Sequence, residues 1–376
     1  MARARWIVPW ADSETKPAIY HCVARVVDRR LAFGPDDKEQ FRIYLRMMEN
    51  FSGCRVLAYC VMCNHFHVLL EVPPRPKAGL TDAELLKRLG GLYPEATVVA
   101  VAKELAEARQ AVADGRAPEG EAYVQRINER FTYRMHDLSE FMKTLLQRFT
   151  RWHNTRTKRR GNLWEETFKS VIVEDGLAAR TMAAYIDLNP VRAGMAKDPA
   201  EYRWSSYGEA VGGGAKGNGK RSREGLVRAW MAHKGWEADA SRWNGRDNIH
   251  AAYRAMLLAE GAEIAEERPD QAGDLRKKVK RNGMPVAEAR EERARLETGH
   301  RVELAKRLRW RLRYFSDGTV IGSREFVDGF FEAYRDRFGP KRTSGARRMR
   351  GDAADLTRGA GLFSLRDLGN SASSQG

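Results

Sequence analysis

The chain has 376 residues, with 66 Lys and Arg against 50 Asp and Glu, for a formal net charge of +16. Four cysteines in this length exclude a disulfide-stapled scaffold, and no apolar run approaches the ~20 residues that a membrane-spanning helix needs. The basic balance favours a polyanionic partner, most simply nucleic acid, and the basic N-terminus has no apolar signal core, so the expected location is the cytoplasm.

Ile19 to Val27 (IYHCVARVV) reads as a first strand, rich in β-branched residues and closed by a charged run. Asp36 to Phe51 reads as an amphipathic helix with Phe41, Tyr44, Leu45 and Met48 at helical spacing and Asp36 or Asp37 as cap. Arg55 to Val72 (RVLAYCVMCNHFHVLLEV) then reads as two apolar strands joined by a turn near Cys63-Asn64. The order β-α-β-β fits an α+β sandwich with helices on one sheet face.

Residues 73–137 leave this pattern through a Pro-rich exit. They become helical and highly charged, without His-based chemistry through the Ala-rich centre, and are read as a helical insertion. Leu138 to His153 is a stronger helix with an apolar stripe of Phe141, Leu145, Leu146 and Phe149, followed by the basic loop Thr155 to Gly161. Phe168 to Val173 reads as another strand, and Leu177 to Asn189 as a helix capped by Asp175 and stopped by Pro190. The first domain is therefore placed at 1–211. A flexible basic linker follows at 212–223 (GGGAKGNGKRSR). Residues 224–376 form a basic, mostly helical region, with helices at Val302–Tyr314 and Ser323–Phe338. Its dense basic runs start at Arg276 and Lys341, and its tail is disordered.

The hairpin carries the chemistry. His65 and His67 are two apart on one strand, so both imidazoles point to one face while Phe66, Val68 and Leu70 point to the other. Such a pair often has only a packing role. Here it starts directly after a turn, where a strand opens to solvent, and three uses remain open. One is a zinc site with Cys60 and Cys63, which the crowding of four ligands on one hairpin disfavours. A second is metal-assisted hydrolysis, for which no general base stands beside the hairpin. The third uses Tyr185, which shares a helix face with Asn189 four residues on: a tyrosine can attack a phosphodiester, and two imidazoles with an Asn carbonyl oxygen can hold Mg²⁺ or Mn²⁺.

At these residues the chain resembles the single-tyrosine HUH transposases. NHFHVLLEV is similar to the histidine motif, AAYIDLNPVRAGM to the tyrosine helix, GNLWEETFKS to the Gly-x-Leu-Trp segment between them, YRWSSY to the closing segment and YHCVARVVDRR to the first strand. All five occur in the family's order, over about Ile19 to Val211, and the likeness is strongest to REP-associated tyrosine transposases. The resemblance implies a ferredoxin-like antiparallel sheet. It implies His65, His67 and Asn189 as ligands of Mg²⁺ or Mn²⁺, and Tyr185 as nucleophile. The implied substrate is single-stranded hairpin or palindromic-repeat DNA, and the implied reaction is nicking and rejoining through a 5′-phosphotyrosine. Thr167 replaces an Arg of many relatives, a place that Lys169 or Arg160 can fill. Arg160, Lys169 and Arg192 are candidate DNA contacts, as is Arg25, for which a solvated surface charge is an equal alternative; Trp164 is a candidate base platform, for which a place in the core is the favoured alternative. A monomer is expected, a dimer donating Tyr185 in trans being the alternative. The rival functions are a catalytically inactive repeat-DNA-binding protein and a phosphoesterase that uses water.

Overall fold

The computed structural model describes residues 6–77, 79–117, 119–214, 217–231, 239–245, 247–261, 264–269, 275–281, 283–296, 315–316, 318–349 and 361–366. The expected helix at Val302–Tyr314 and the tail after 366 lie outside them.

The first strand, β1 (Ala18–Arg25), is followed by α1 (Pro35–Ser52). Pro35 suits the first turn, where its missing N–H has no partner to lose. The cap is Gly34 rather than Asp36 or Asp37. Asp37 instead reaches back, its Oδ2 accepting from the Gly34 N–H at 3.0 Å. Strands β2 (Arg55–Val61) and β3 (His65–Val72) form the expected hairpin. Three helices, α2 (Asp82–Gly90), α3 (Glu95–Ala113) and α4 (Glu121–Thr132), occupy the inserted stretch. Next come α5 (Leu138–Arg156) and β4 (Lys169–Val173).

These four strands lie in the order β2-β3-β1-β4, each antiparallel to its neighbour. Because side chains alternate, Tyr20, Cys22, Ala24, Phe66, Val68 and Leu70 enter one core with Phe41 and Leu45 of α1 and Phe141, Leu145 and Phe149 of α5.

The other face is covered too, which corrects the expectation of helices on one face only. There α6 (Leu177–Asp187), α8 (Ser206–Gly212), α9 (Asn218–Trp230) and α10 (Ile249–Gly261) bury Ile19, Leu57, Cys60, Leu69, Val171 and Val173. The physical sign is in the strands themselves: YCV and HVLL run apolar without alternation, as strands buried on both faces do. Residues 218–223, expected as linker, are the first turns of α9. Gly225 brings that helix against β2 so closely that a Cβ would stand 2.4 Å from the Val56 carbonyl oxygen. An ion pair between Arg228 Nε and Glu71 Oε2 at 2.9 Å, both side chains buried, ties α9 to β3.

The sheet also differs from expectation in being mixed. Strand β7 (Val320–Gly322) adds parallel to β4, and β9 (Phe363–Leu365) and β8 (Arg347–Arg348) extend the sheet beyond it to seven strands. The basic run at Arg276 lies in β6 (Leu275–Arg281), hairpinned to β5 (Ile264–Pro269), rather than in a helix. The remaining helices are α7 (Asn189–Arg192), α11 (Val286–Leu296) and α12 (Arg324–Ala333). The last is capped by Ser323, whose side chain accepts from the Phe326 N–H as the sequence suggested. Among the described residues no helix is long and apolar enough to cross a membrane.

Candidate active site

The site forms where β1 and β3 meet the C-terminal end of α6. His67 pairs with Val23 and His65 with Arg25 across the β1–β3 ladder, so His21, His65 and His67 all face the α6 side. His67 is only 3% exposed, more enclosed than its position after a turn suggested, while His65 is half-buried. Their ring centroids are 5.0 Å apart.

Tyr185 comes to the same place. Its ring meets His67 edge-on at 5.7 Å and His21 at 6.0 Å, and stacks on Phe315 at 4.4 Å. The Arg192 guanidinium lies over the Tyr185 ring at 5.3 Å, and its Nη1 donates to the Tyr185 carbonyl at 3.4 Å.

Helix α6 is capped by Gly176, one residue after the expected Asp175 cap, and ends at Asp187, two residues before the expected stop. The chain passes directly into α7, where Pro190 occupies the first turn instead of following the helix. Tyr185 and Asn189 nevertheless stay together: Asn189 Nδ2 donates to the carbonyls of Tyr185 at 3.0 Å and Ile186 at 3.2 Å. With the amide nitrogen so engaged, Oδ1 is the atom of Asn189 suited to a cation.

Hydrogen bonds fix where the imidazole protons sit. Asn64 Nδ2 donates to the Arg29 carbonyl at 2.8 Å, so Asn64 Oδ1 turns to His65 Nδ1, 2.7 Å away, and can only accept. His65 therefore carries its proton on Nδ1 and a lone pair on Nε2. Burial, then the Arg25 charge, lowers the His65 pKa to about 4, and burial, then His65, His21, Arg25 and Arg192, takes His67 well below its ordinary value. Both rings are thus neutral at pH 7, the form a metal requires. Two neutral imidazoles on one strand face are donors of the kind a divalent ion takes. Among the described residues no three His, Cys, Asp or Glu make a metal cage of their own. Cys60, opposite His67 on β2, has its thiol pKa pushed well up by burial, which disfavours the thiolate that zinc would need.

Beside the histidines, on the β4 side, is a cleft of about 220 Å³ lined by Arg25, Arg29, Lys169, Thr167, Glu165 and Glu166 among others. Arg25 and Lys169 thus stand together, and Thr167 has Lys169 as its basic neighbour. Arg160 is exposed on the loop after α5 and does not line the cleft. Trp164 is a correction. It is 5% exposed, packed against Phe33, Phe66 and Phe149, and its Nε1 donates to Thr150 Oγ1 at 2.9 Å, so it has no open face for a base.

Residues 15–79 match the model of the family described as Transposase IS200 like. Over this span the chain is similar to the IS200-like transposases. The IS200-like span contains β1, α1, β2 and β3, hence His21, His65 and His67, and ends well before Tyr185. Among curated proteins no sequence matches the chain significantly. One solved structure, "Structure of the REP associates tyrosine transposase bound to a REP hairpin", is similar at 12% identity and a TM-score of 0.33, over 58% of this chain and 90% of that one. A likeness that weak transfers neither fold nor function.

Sequence reading missed three participants. His21 was visible as a histidine within an otherwise apolar strand, and its diagonal relation to His67 needed the register. Asn64 stood in the motif without a role. Phe315 had no signal, because only tertiary structure brings it to Tyr185.

Proposed function

We infer that the protein is a DNA transposase that nicks and rejoins single strands through a covalent tyrosine intermediate. The observation that carries this reading is the placement of Tyr185 edge-on to His67 at 5.7 Å, beside a second imidazole whose Nε2 holds a lone pair. The IS200-like match over the histidine strands supports it. So does the four-strand order β2-β3-β1-β4, which is that of a ferredoxin-like unit.

In this reading Tyr185 Oη attacks the phosphorus of a phosphodiester. The new O–P bond forms as the P–O3′ bond breaks, leaving a 5′-phosphotyrosine and a free 3′-hydroxyl, and the proton lost by the phenol balances the one gained by the 3′-oxygen. Rejoining is the same step reversed, so the bond energy is conserved and no nucleotide cofactor is needed. His65, His67 and Asn189 would hold Mg²⁺ or Mn²⁺, which polarises the scissile phosphate when bound. Arg192 fixes the Tyr185 ring from above, while Arg25 and Lys169 offer charge to the flanking strand. Hairpin or palindromic-repeat DNA is the substrate class that the motif resemblance brings.

The test is incubation with end-labelled single-stranded hairpin DNA and Mn²⁺, resolved on a denaturing gel. A protein–DNA adduct is expected with the wild type and none with Tyr185→Phe; normal cleavage by Tyr185→Phe would sink the tyrosine mechanism. His65→Ala with His67→Ala is expected to remove cleavage while keeping much of the DNA affinity.

A further inference from the structure

His21 takes no part in the chemistry assigned to Tyr185, His65 and His67, yet it is fully buried against them. Both of its ring nitrogens are engaged. Nδ1 is 2.8 Å from the Phe315 carbonyl oxygen, and Nε2 is 3.0 Å from Nδ1 of His67, the two rings lying parallel at 5.2 Å. Packing alone accounts for a buried ring, but not for two directional bonds in series.

The order of the bonds dictates the protons. A carbonyl oxygen can only accept, so His21 Nδ1 carries a hydrogen. A neutral imidazole has one N–H, which leaves His21 Nε2 as an acceptor. His67 Nδ1 must then be the donor, and the lone pair of His67 falls on Nε2. Remove His21 and, among the described residues, no other hydrogen bond holds the His67 proton on Nδ1; it is then able to move to Nε2 and block the nitrogen a cation would use. His65 has its own device in Asn64, so the loss would fall on His67 alone.

We propose that His21, anchored on the Phe315 carbonyl, is a positioning residue that holds His67 in the Nδ1–H tautomer and so keeps its Nε2 available as a ligand. The functional consequence rests on the reading of His67 as a metal ligand; the proton placement itself does not.

Two measurements on the full-length chain test this. In the metal-free protein labelled with ¹⁵N-histidine, long-range ¹H–¹⁵N correlation is expected to show His67 protonated at Nδ1 and bare at Nε2. In His21→Leu the proton is expected to redistribute toward Nε2, and Mn²⁺ affinity by calorimetry to fall ~10–100-fold, the usual effect of losing an outer partner of a histidine ligand. His21→Gln, whose amide can accept from His67 and donate to Phe315, is expected to restore both. A wild type protonated at His67 Nε2 would overturn the proposal, as would a folded His21→Leu that binds Mn²⁺ as tightly as wild type. A wild type with the Nδ1–H tautomer and no Mn²⁺ uptake supports the placement of His21 and overturns the metal reading instead.

Discussion

Lys169 shows how one side chain acquires meaning from its neighbours across a sheet. In the chain it is one of 66 Lys and Arg residues, and the sequence names it only beside Arg160 as a stand-in for the Arg that Thr167 replaces. The β1–β4 ladder sets it opposite Val23, two positions from Arg25, at the mouth of the cleft beside the histidines. If it holds a phosphate there, Lys169→Ala is expected to weaken binding to all single strands alike and to reduce the slope of log affinity against log salt by ~1. Fluorescence anisotropy at several salt concentrations checks this; an unchanged slope would place Lys169 off the DNA path. Tyr185, His65 and His67 were legible earlier because their residue types are rare and their spacing is informative. Trp164 was the opposite case. Its motif neighbourhood suggested a base platform, but a large apolar ring between Phe33, Phe66 and Phe149 gains more from leaving water than from facing it.

At the scale of elements, periodicity identified β1, β2, β3, α1, α5 and α6 to within a few residues, since each has a long apolar stripe or run. It failed for α9. A stretch rich in glycine has low helix propensity and reads as linker. Its helix exists because tertiary contact overrides that tendency: Gly225 lets α9 touch the β2 backbone, and Arg228 is held by Glu71. The glycine is a packing requirement there, not a source of flexibility. Gly225→Ala is therefore expected to destabilise the protein by ~1–3 kcal/mol despite alanine's better propensity, read as a lower urea midpoint. A raised midpoint would show that α9 can back away from β2 at no cost. β7 was missed because three residues carry no readable period; β6 was missed because its charges looked like a solvated run.

For the molecule as a whole, the sheet argues against two independent halves. Val320 and Ile321, late in the chain, are fully buried on opposite faces of a sheet whose central strand is β4. Trp6, from the opposite end, stacks on Phe338 at 5.4 Å and meets Phe330 edge-on. Unfolding in urea is expected to be one transition, with tryptophan fluorescence and far-ultraviolet circular dichroism giving the same midpoint. Ile321→Ala is expected to lower stability by ~2–5 kcal/mol, as in any tightly packed core. Two separated midpoints, with Ile321→Ala moving only one, would show that the late strands fold by themselves.

The contact between Phe315 and Tyr185 also has a meaning in time. The histidines and the tyrosine are made in the first half of the chain, but Phe315 follows Tyr185 by 130 residues. At a synthesis rate of ~5–20 residues per second, many seconds separate the emergence of Tyr185 from that of the residue stacked upon it. A ribosome-bound chain stopped anywhere in that interval holds Tyr185 without the ring that covers it and His21 without the carbonyl that its Nδ1 meets. A later stretch of the chain therefore completes the surroundings of Tyr185 and His67 that an earlier stretch began.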